Sequence, residues 1–104
     1  MVLYGLKNCD TCRKALKLLP EAQFQDVRAD GVPGDVLKSA YEVFGAQLLN
    51  TRSTTWRGLS DAERALDPLD LLAAHPTVMK RPLVDHDGQL YLGWNSDVQA
   101  ALLG

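Results

Sequence analysis

Cysteine is scarce in this chain: there are two, Cys9 and Cys12, and both sit in one short segment. A secreted scaffold held by disulfides spreads several cysteines to close long loops, so that class is excluded. Histidine is as scarce, with only His75 and His86. A structural zinc site takes four ligands at tight spacings, which these four residues do not offer, so no metal is expected. Both histidines, one before Pro76 and one in a turn, read as plain surface residues. No apolar run approaches the roughly twenty residues that span a bilayer, and no membrane partner is expected. Charge of one sign is also lacking. Eleven Lys and Arg against thirteen Asp and Glu give a net charge of −2, with no general attraction to nucleic acid or anionic lipid. The first twenty residues open apolar and then carry Lys7, Arg13, Lys14 and Lys17, the reverse of a signal peptide. The expectation is a cytoplasmic protein that contacts no nucleic acid directly.

What is present is an ordinary globular mixture, 46% hydrophobic and 23% charged over 104 residues, enough for one domain spanning 1–104. Val2-Leu3-Tyr4, ended by Gly5, is β-prone. Cys12, Ala15, Leu16 and Leu19 then follow a helical stripe that Pro20 stops. Phe24 to Val27 alternates like a second strand, and Ala29-Asp30-Gly31 reads as a turn. A strand–helix–strand crossover implies a parallel pair. Pro33 opens a second helix carrying Val36, Leu37, Ala40, Tyr41 and Phe44, which Gly45 ends. Residues 46–59 look irregular. Ser60 to Glu63 matches a capping box, and Asp67-Pro68 starts another short helix that ends by His75. Thr77 to Val84 reads as a third strand around Arg81-Pro82. Asp85 to Gly88 reads as a tight turn, and Gln89 to Gly93 as an antiparallel fourth strand. Asn95 caps a last helix with Val98, Ala101 and Leu102 on its apolar stripe. Four strands are thus expected near 2–5, 24–28, 80–85 and 89–93. Trp56 and Trp94 belong by default to the core.

The informative segment is Cys9-Asp10-Thr11-Cys12. A strand-to-helix junction puts Cys9 where free backbone N–H groups and the helix dipole favour a thiolate over a thiol. Cys12 lies one turn on, on the apolar stripe, where it can attack a mixed disulfide formed at Cys9. Cys9 therefore reads as nucleophile and Cys12 as resolving thiol. Cys9 should titrate below the free-thiol value of about 8.5, and Cys12 should not. Arg81-Pro82 is a candidate cis peptide facing that helix. Arg52, in the polar run Asn50 to Thr55, reads on its own as a solvated loop charge.

Tyr4 to Ala15 (YGLKNCDTCRKA), Leu48 to Arg52 (LLNTR), Thr54 to Arg57 (TTWR), Lys80 to Leu83 (KRPL) and Leu92-Gly93 resemble the glutaredoxin-like arsenate reductase (ArsC)/Spx/YffB family. The likeness runs nearly end to end, and the KNCDT and NTR…TTWR strings are closest to its YffB branch. The stretch between the first helix and second strand is a few residues shorter than usual. The resemblance implies an α/β, thioredoxin-like fold with a four-stranded mixed sheet and a helical insertion, about 33–76, between its βαβ and ββα halves. It carries a nucleophile to Cys9 and anion-binding arginines to Arg52 and Arg81, with Asn8, Pro82 and Trp94 as further candidate anion- or substrate-binding residues. Arsenate reductases of the family hold the oxyanion with three arginines. Two align with Arg52 and Arg81, but the third falls at Trp94, and the histidine that tunes their cysteine falls at Gly5. An indole cannot replace a bidentate guanidinium, which argues against arsenate reduction. The YffB branch implies a thiol–disulfide reductase with glutathione as cosubstrate and no bound cofactor. Arsenate reduction is one alternative. The other is an Spx-like redox switch that binds the RNA polymerase α subunit.

Overall fold

The computed structural model describes residues 1–104. In chain order the elements are β1 (Val2–Gly5), α1 (Asp10–Leu18), β2 (Gln23–Asp26), α2 (Val27–Asp30), α3 (Gly34–Phe44), a 3-10 turn (Gly45–Leu48), α4 (Thr54–Arg57), α5 (Asp61–Arg64), α6 (Pro68–Ala74), a second 3-10 turn (Pro76–Val78), β3 (Leu83–His86), β4 (Gln89–Leu92) and α7 (Ser96–Leu103). They form two compact units, Met1–Asp30 with Arg81–Gly104, and Gly31–Lys80.

The first unit is built on a mixed sheet of order β2-β1-β3-β4. β1 pairs parallel with β2, as the crossover through α1 requires, and antiparallel with β3, which pairs antiparallel with β4. Alternation sends Leu3 and Val84, register partners, to the same face, where α1 covers them with Cys12, Ala15 and Leu19. All five are buried, and Phe24, Tyr91, Trp94 and Leu102 pack around them. Each buried leucine or valine contributes roughly 1.5–3 kcal/mol. The β3–β4 hairpin closes on Asp87 and Gly88, both at positive φ (52° and 81°). That is the twist a two-residue hairpin demands, and Asp and Gly tolerate it. In α7 Val98 is buried and Leu102 packs on the core, but Ala101 is exposed and leaves the expected stripe.

The second unit holds its own core of Leu37 and Ala40 from α3, Leu48, Leu71 and Leu72 from α6, and Val78 and Met79. Gly45 ends α3 at φ 58°, and its N–H reaches Tyr41 C=O. The capping box at Ser60 is complete: Ser60 Oγ accepts from Glu63 N–H, and the Glu63 carboxylate accepts from Ser60 N–H. Asp67 caps α6, with Pro68 in its first turn.

Three stretches depart from the sequence reading. The helical turn α2 takes Val27 and Arg28 from the second strand expected over 24–28, and Ala29 and Asp30 from the turn expected at Ala29 to Gly31, because Asp26 Oδ1 accepts from the Arg28 and Ala29 N–H groups and seeds it. The irregular 46–59 stretch contains α4, whose cap is Ser53 accepting from Trp56 N–H. The third strand begins at Leu83, not Thr77. Residues 76–78 form a 3-10 turn, Met79 bridges to Leu49, and Lys80 N–H donates to Leu48 C=O. Pro82, with no N–H, cannot extend the ladder. No helix is long and apolar enough to cross a membrane.

Candidate functional site

Cys9 is the N-cap of α1, in extended backbone just before the first helical turn. A tight turn delivers it: Cys9 N–H donates to Leu6 C=O at 3.2 Å, and Arg13 Nε to Lys7 C=O at 2.8 Å. Lys7 and Asn8 are exposed on this turn, so Asn8 stands one residue before the cysteine, on the surface. The Cys9 sulfur is not in capping hydrogen-bond geometry, and the N–H groups of the first turn act on it at longer range. Burial opposes its ionisation. The Cys12 N–H and thiol, the Arg81 guanidinium and the Thr11 N–H outweigh that opposition and hold the Cys9 pKa below the ordinary thiol value.

Cys12 has the opposite fate. It is wholly buried, and burial pushes its pKa up to about 12. The neighbouring Cys9 sulfur, which favours the protonated Cys12 thiol and repels a second anion, adds to the rise, against the Leu6 N–H and Arg81. The structure holds the two cysteines as separate thiols, with no disulfide between them. One helix turn thus holds an ionisable thiol half open to solvent and a protonated thiol beneath it.

Arg81 and Pro82 are joined by a cis peptide bond, as expected from the sequence. Pro82 is buried and Arg81 is half-buried, close enough for its charge to act on both cysteines. Gly93 N–H donates to Pro82 C=O at 2.8 Å. Trp94 follows, half-buried against the cluster of Leu3, Cys12, Ala15, Leu19 and Val84 that Cys9 also packs upon. Its carbonyl accepts from Gln99 Nε2 at 2.9 Å.

Arg52 belongs to the other unit. Asn50 Oδ1 accepts from its N–H at 3.1 Å, which turns the loop. Arg52 lines an open cavity of about 400 Å³ with Gln47, Leu49, Asn50, Thr51 and Lys80. The pairing of 48–50 with 78–80 builds that cavity: Asn50 N–H donates to Val78 C=O and Lys80 N–H to Leu48 C=O, both at 2.8 Å. Two cations therefore share one polar concavity. Lys80 escaped the sequence reading because its strand partner lies some thirty residues earlier and no local pattern reveals it.

Two further residues were missed. Gly5 is buried at the end of β1, and a Cβ built there would meet Cys12 Sγ at 2.5 Å. His75 is no plain surface residue: its Nε2 lies 2.9 Å from Glu63 Oε2, tying the end of α6 to the capping box of α5. Trp56 is half-buried rather than core, with the Arg64 guanidinium 5.6 Å above its ring.

A protein of Haemophilus influenzae, itself uncharacterized, is 42% identical over 111 residues, covering 97% of each chain. The solved structure of a YffB protein superposes with a TM-score of 0.88 at 36% identity, covering 99% of this chain and 98% of that one. The solution structure of an arsenate reductase (ArsC) related protein from Brucella melitensis gives 0.68 at 32% identity, over 96% and 91%. The fold is thus the thioredoxin-like fold expected from the sequence. Residues 4–102 match the ArsC family, and the chain belongs to that family.

Proposed function

We propose that this protein is a thiol–disulfide reductase of the YffB type, with Cys9 as nucleophile, Cys12 as resolving thiol and glutathione as electron donor. One observation carries the reading: within one helix turn, Cys9 stands half-exposed at the N-cap of α1 and Cys12 lies buried beneath it, an arrangement that makes Cys9 the more acidic thiol. The Cys9 thiolate attacks the glutathionyl sulfur of a mixed disulfide; a new S–S bond forms, the old one breaks, and the substrate sulfur leaves with the electron pair and takes a proton from water. Cys9 is then neutral, so the charge by which it held the Cys12 proton is gone. Cys12 gives that proton to solvent and attacks Cys9 Sγ, and glutathione departs as the thiol. Two further glutathione molecules reduce the Cys9–Cys12 disulfide and leave as oxidised glutathione. Arg81 favours the thiolate. Pro82, Asn8 and Trp94 surround the incoming peptide-like group in this reading, and Arg52, with Lys80, takes an anionic group such as a carboxylate.

The test is steady-state reduction of a small glutathionyl mixed disulfide, with glutathione supplying electrons. Turnover lost in Cys9→Ser, with Cys12→Ser retaining part through direct attack by glutathione, supports the reading. No Cys9-dependent turnover would overturn it. Reversible Cys9–Cys12 oxidation without turnover would instead favour the redox-switch alternative, with polymerase α subunit as the partner to try.

A further inference from the structure

Gly5 poses a question that its backbone does not answer. It ends β1 in register with Asp26, and it is absent from the glycines at positive φ. An L-residue could adopt the same conformation. Glycine in a strand is less stable than alanine would be, so some other demand must hold it there.

That demand is space. A Cβ at position 5 would stand 2.5 Å from Cys12 Sγ, 3.3 Å from Cys12 Cβ and 3.3 Å from Leu3 Cδ2. The last two contacts are tight but close with a few tenths of an ångström of movement. The first is not. Cys12 is wholly buried in α1, with one side-chain torsion and few helix-compatible rotamers, so its sulfur has nowhere near to go. The seat it would leave is the one where it faces both the Leu6 N–H and the Cys9 sulfur.

We propose that Gly5 is a positioning residue: its missing side chain makes the seat in which Cys12 Sγ lies against the end of β1 and faces the Cys9 sulfur. Gly5 touches no substrate and acts only through Cys12. The proposal rests on the reading that the two cysteines work as a pair, but it concerns the resting dithiol and needs no substrate. Glycine at 5 and a thiol at 12 are then one structural unit. A side chain at 5 turns the dithiol site toward a single-thiol site without touching Cys9.

The experiment follows the ultraviolet absorbance of the Cys9 thiolate against pH in the whole chain carrying Gly5→Ala, Cys12→Ala, or both. Each single substitution should raise the Cys9 midpoint by about half a pH unit or more, the shift expected when a thiolate loses one hydrogen bond. The double variant should titrate like Cys12→Ala alone, because both changes act through one sulfur. Removing that sulfur should also restore the thermal stability that Gly5→Ala loses. A Gly5→Ala protein with an unchanged Cys9 midpoint, or additive shifts in the double variant, would overturn the proposal. If Gly5→Ala does not fold, a folded double variant supports it, and a double variant that also fails to fold overturns it. Absence of glutathione turnover leaves this titration untouched, so the two readings fail separately.

Discussion

The N–H of Gly93 donates to the carbonyl of Pro82 at 2.8 Å, so the residue after Arg81 is tied to the residue before Trp94. Gly93 is buried and at φ 81°, in the left-handed region where a Cβ is disfavoured. Here glycine answers a conformational demand, whereas at position 5 it answers a spatial one. Gly93→Ala should destabilise the protein by about 1–2 kcal/mol, the usual cost of an L-residue in that conformation. Denaturant unfolding checks it; an unchanged midpoint would show that the Pro82–Gly93 tie bends without strain.

Alkylation by iodoacetamide should modify Cys9 far faster than Cys12 at neutral pH, since only the thiolate reacts and Cys12 stays protonated to about 12. The Cys9 rate should climb through a midpoint below that of a free thiol, and Arg81→Gln should move that midpoint up. Peptide mapping after brief labelling reads both. Equal labelling of the two cysteines would remove the nucleophile assignment.

By the resemblance, Trp94 falls where arsenate reductases of the family carry a third arginine. Losing one charge-assisted contact of roughly 1.5–3 kcal/mol should weaken oxyanion handling by one to two orders of magnitude. Native protein should therefore turn arsenate over weakly beside the proposed glutathionyl-disulfide activity, and Trp94→Arg should improve arsenate binding more than disulfide reduction. Arsenate turnover by the native chain that matches its disulfide rate would show the missing arginine to be immaterial.

The Glu63 carboxylate accepts from the Ser60 N–H and hydroxyl and lies against His75, which holds its pKa below the ordinary value. A carboxyl whose folded pKa is depressed stabilises the fold fully above its unfolded pKa, about 4.3, and loses that contribution as pH falls through the folded value. Native protein should thus be more stable than Glu63→Gln near neutrality, and the gap should close below about pH 4. Thermal melts of both proteins across pH measure it; a constant gap would mean that Glu63 acts through packing alone.

If Arg52 binds the anionic group as proposed, Arg52→Ala should raise the KM for a glutathionyl substrate about tenfold or more while leaving the Cys9 titration in place, because one anion contact would be lost and the thiolate kept. Steady-state kinetics beside the thiolate titration separates the two. A change in kcat with KM unchanged would take Arg52 out of substrate binding.

The sequence by itself determined the features whose causes are local. The C-x-x-C pair at a strand-to-helix junction, the capping box at Ser60, the Asp67-Pro68 start and the stop at Gly45 each depend on residues within a turn or two of one another. The structure places all of them where the pattern put them. The hairpin belongs with these in its residue types, since its positive φ values call for Asp87 and Gly88, but the turn expected over 85–88 narrows to those two because Asp85 and His86 pair in β3. Tertiary structure decided what depends on partners far along the chain. Met79 bridges to Leu49 and Lys80 joins Arg52 in one cavity, and the third strand begins only at Leu83. His75 finds Glu63 across a helix, a pairing no periodicity announces. Gly5 reads in the sequence as a strand terminator, and only the approach of α1 shows that the space beside it is filled by the Cys12 sulfur. Propensities and caps act over a few residues and are written in order along the chain, whereas close packing depends on which surfaces meet once it has folded.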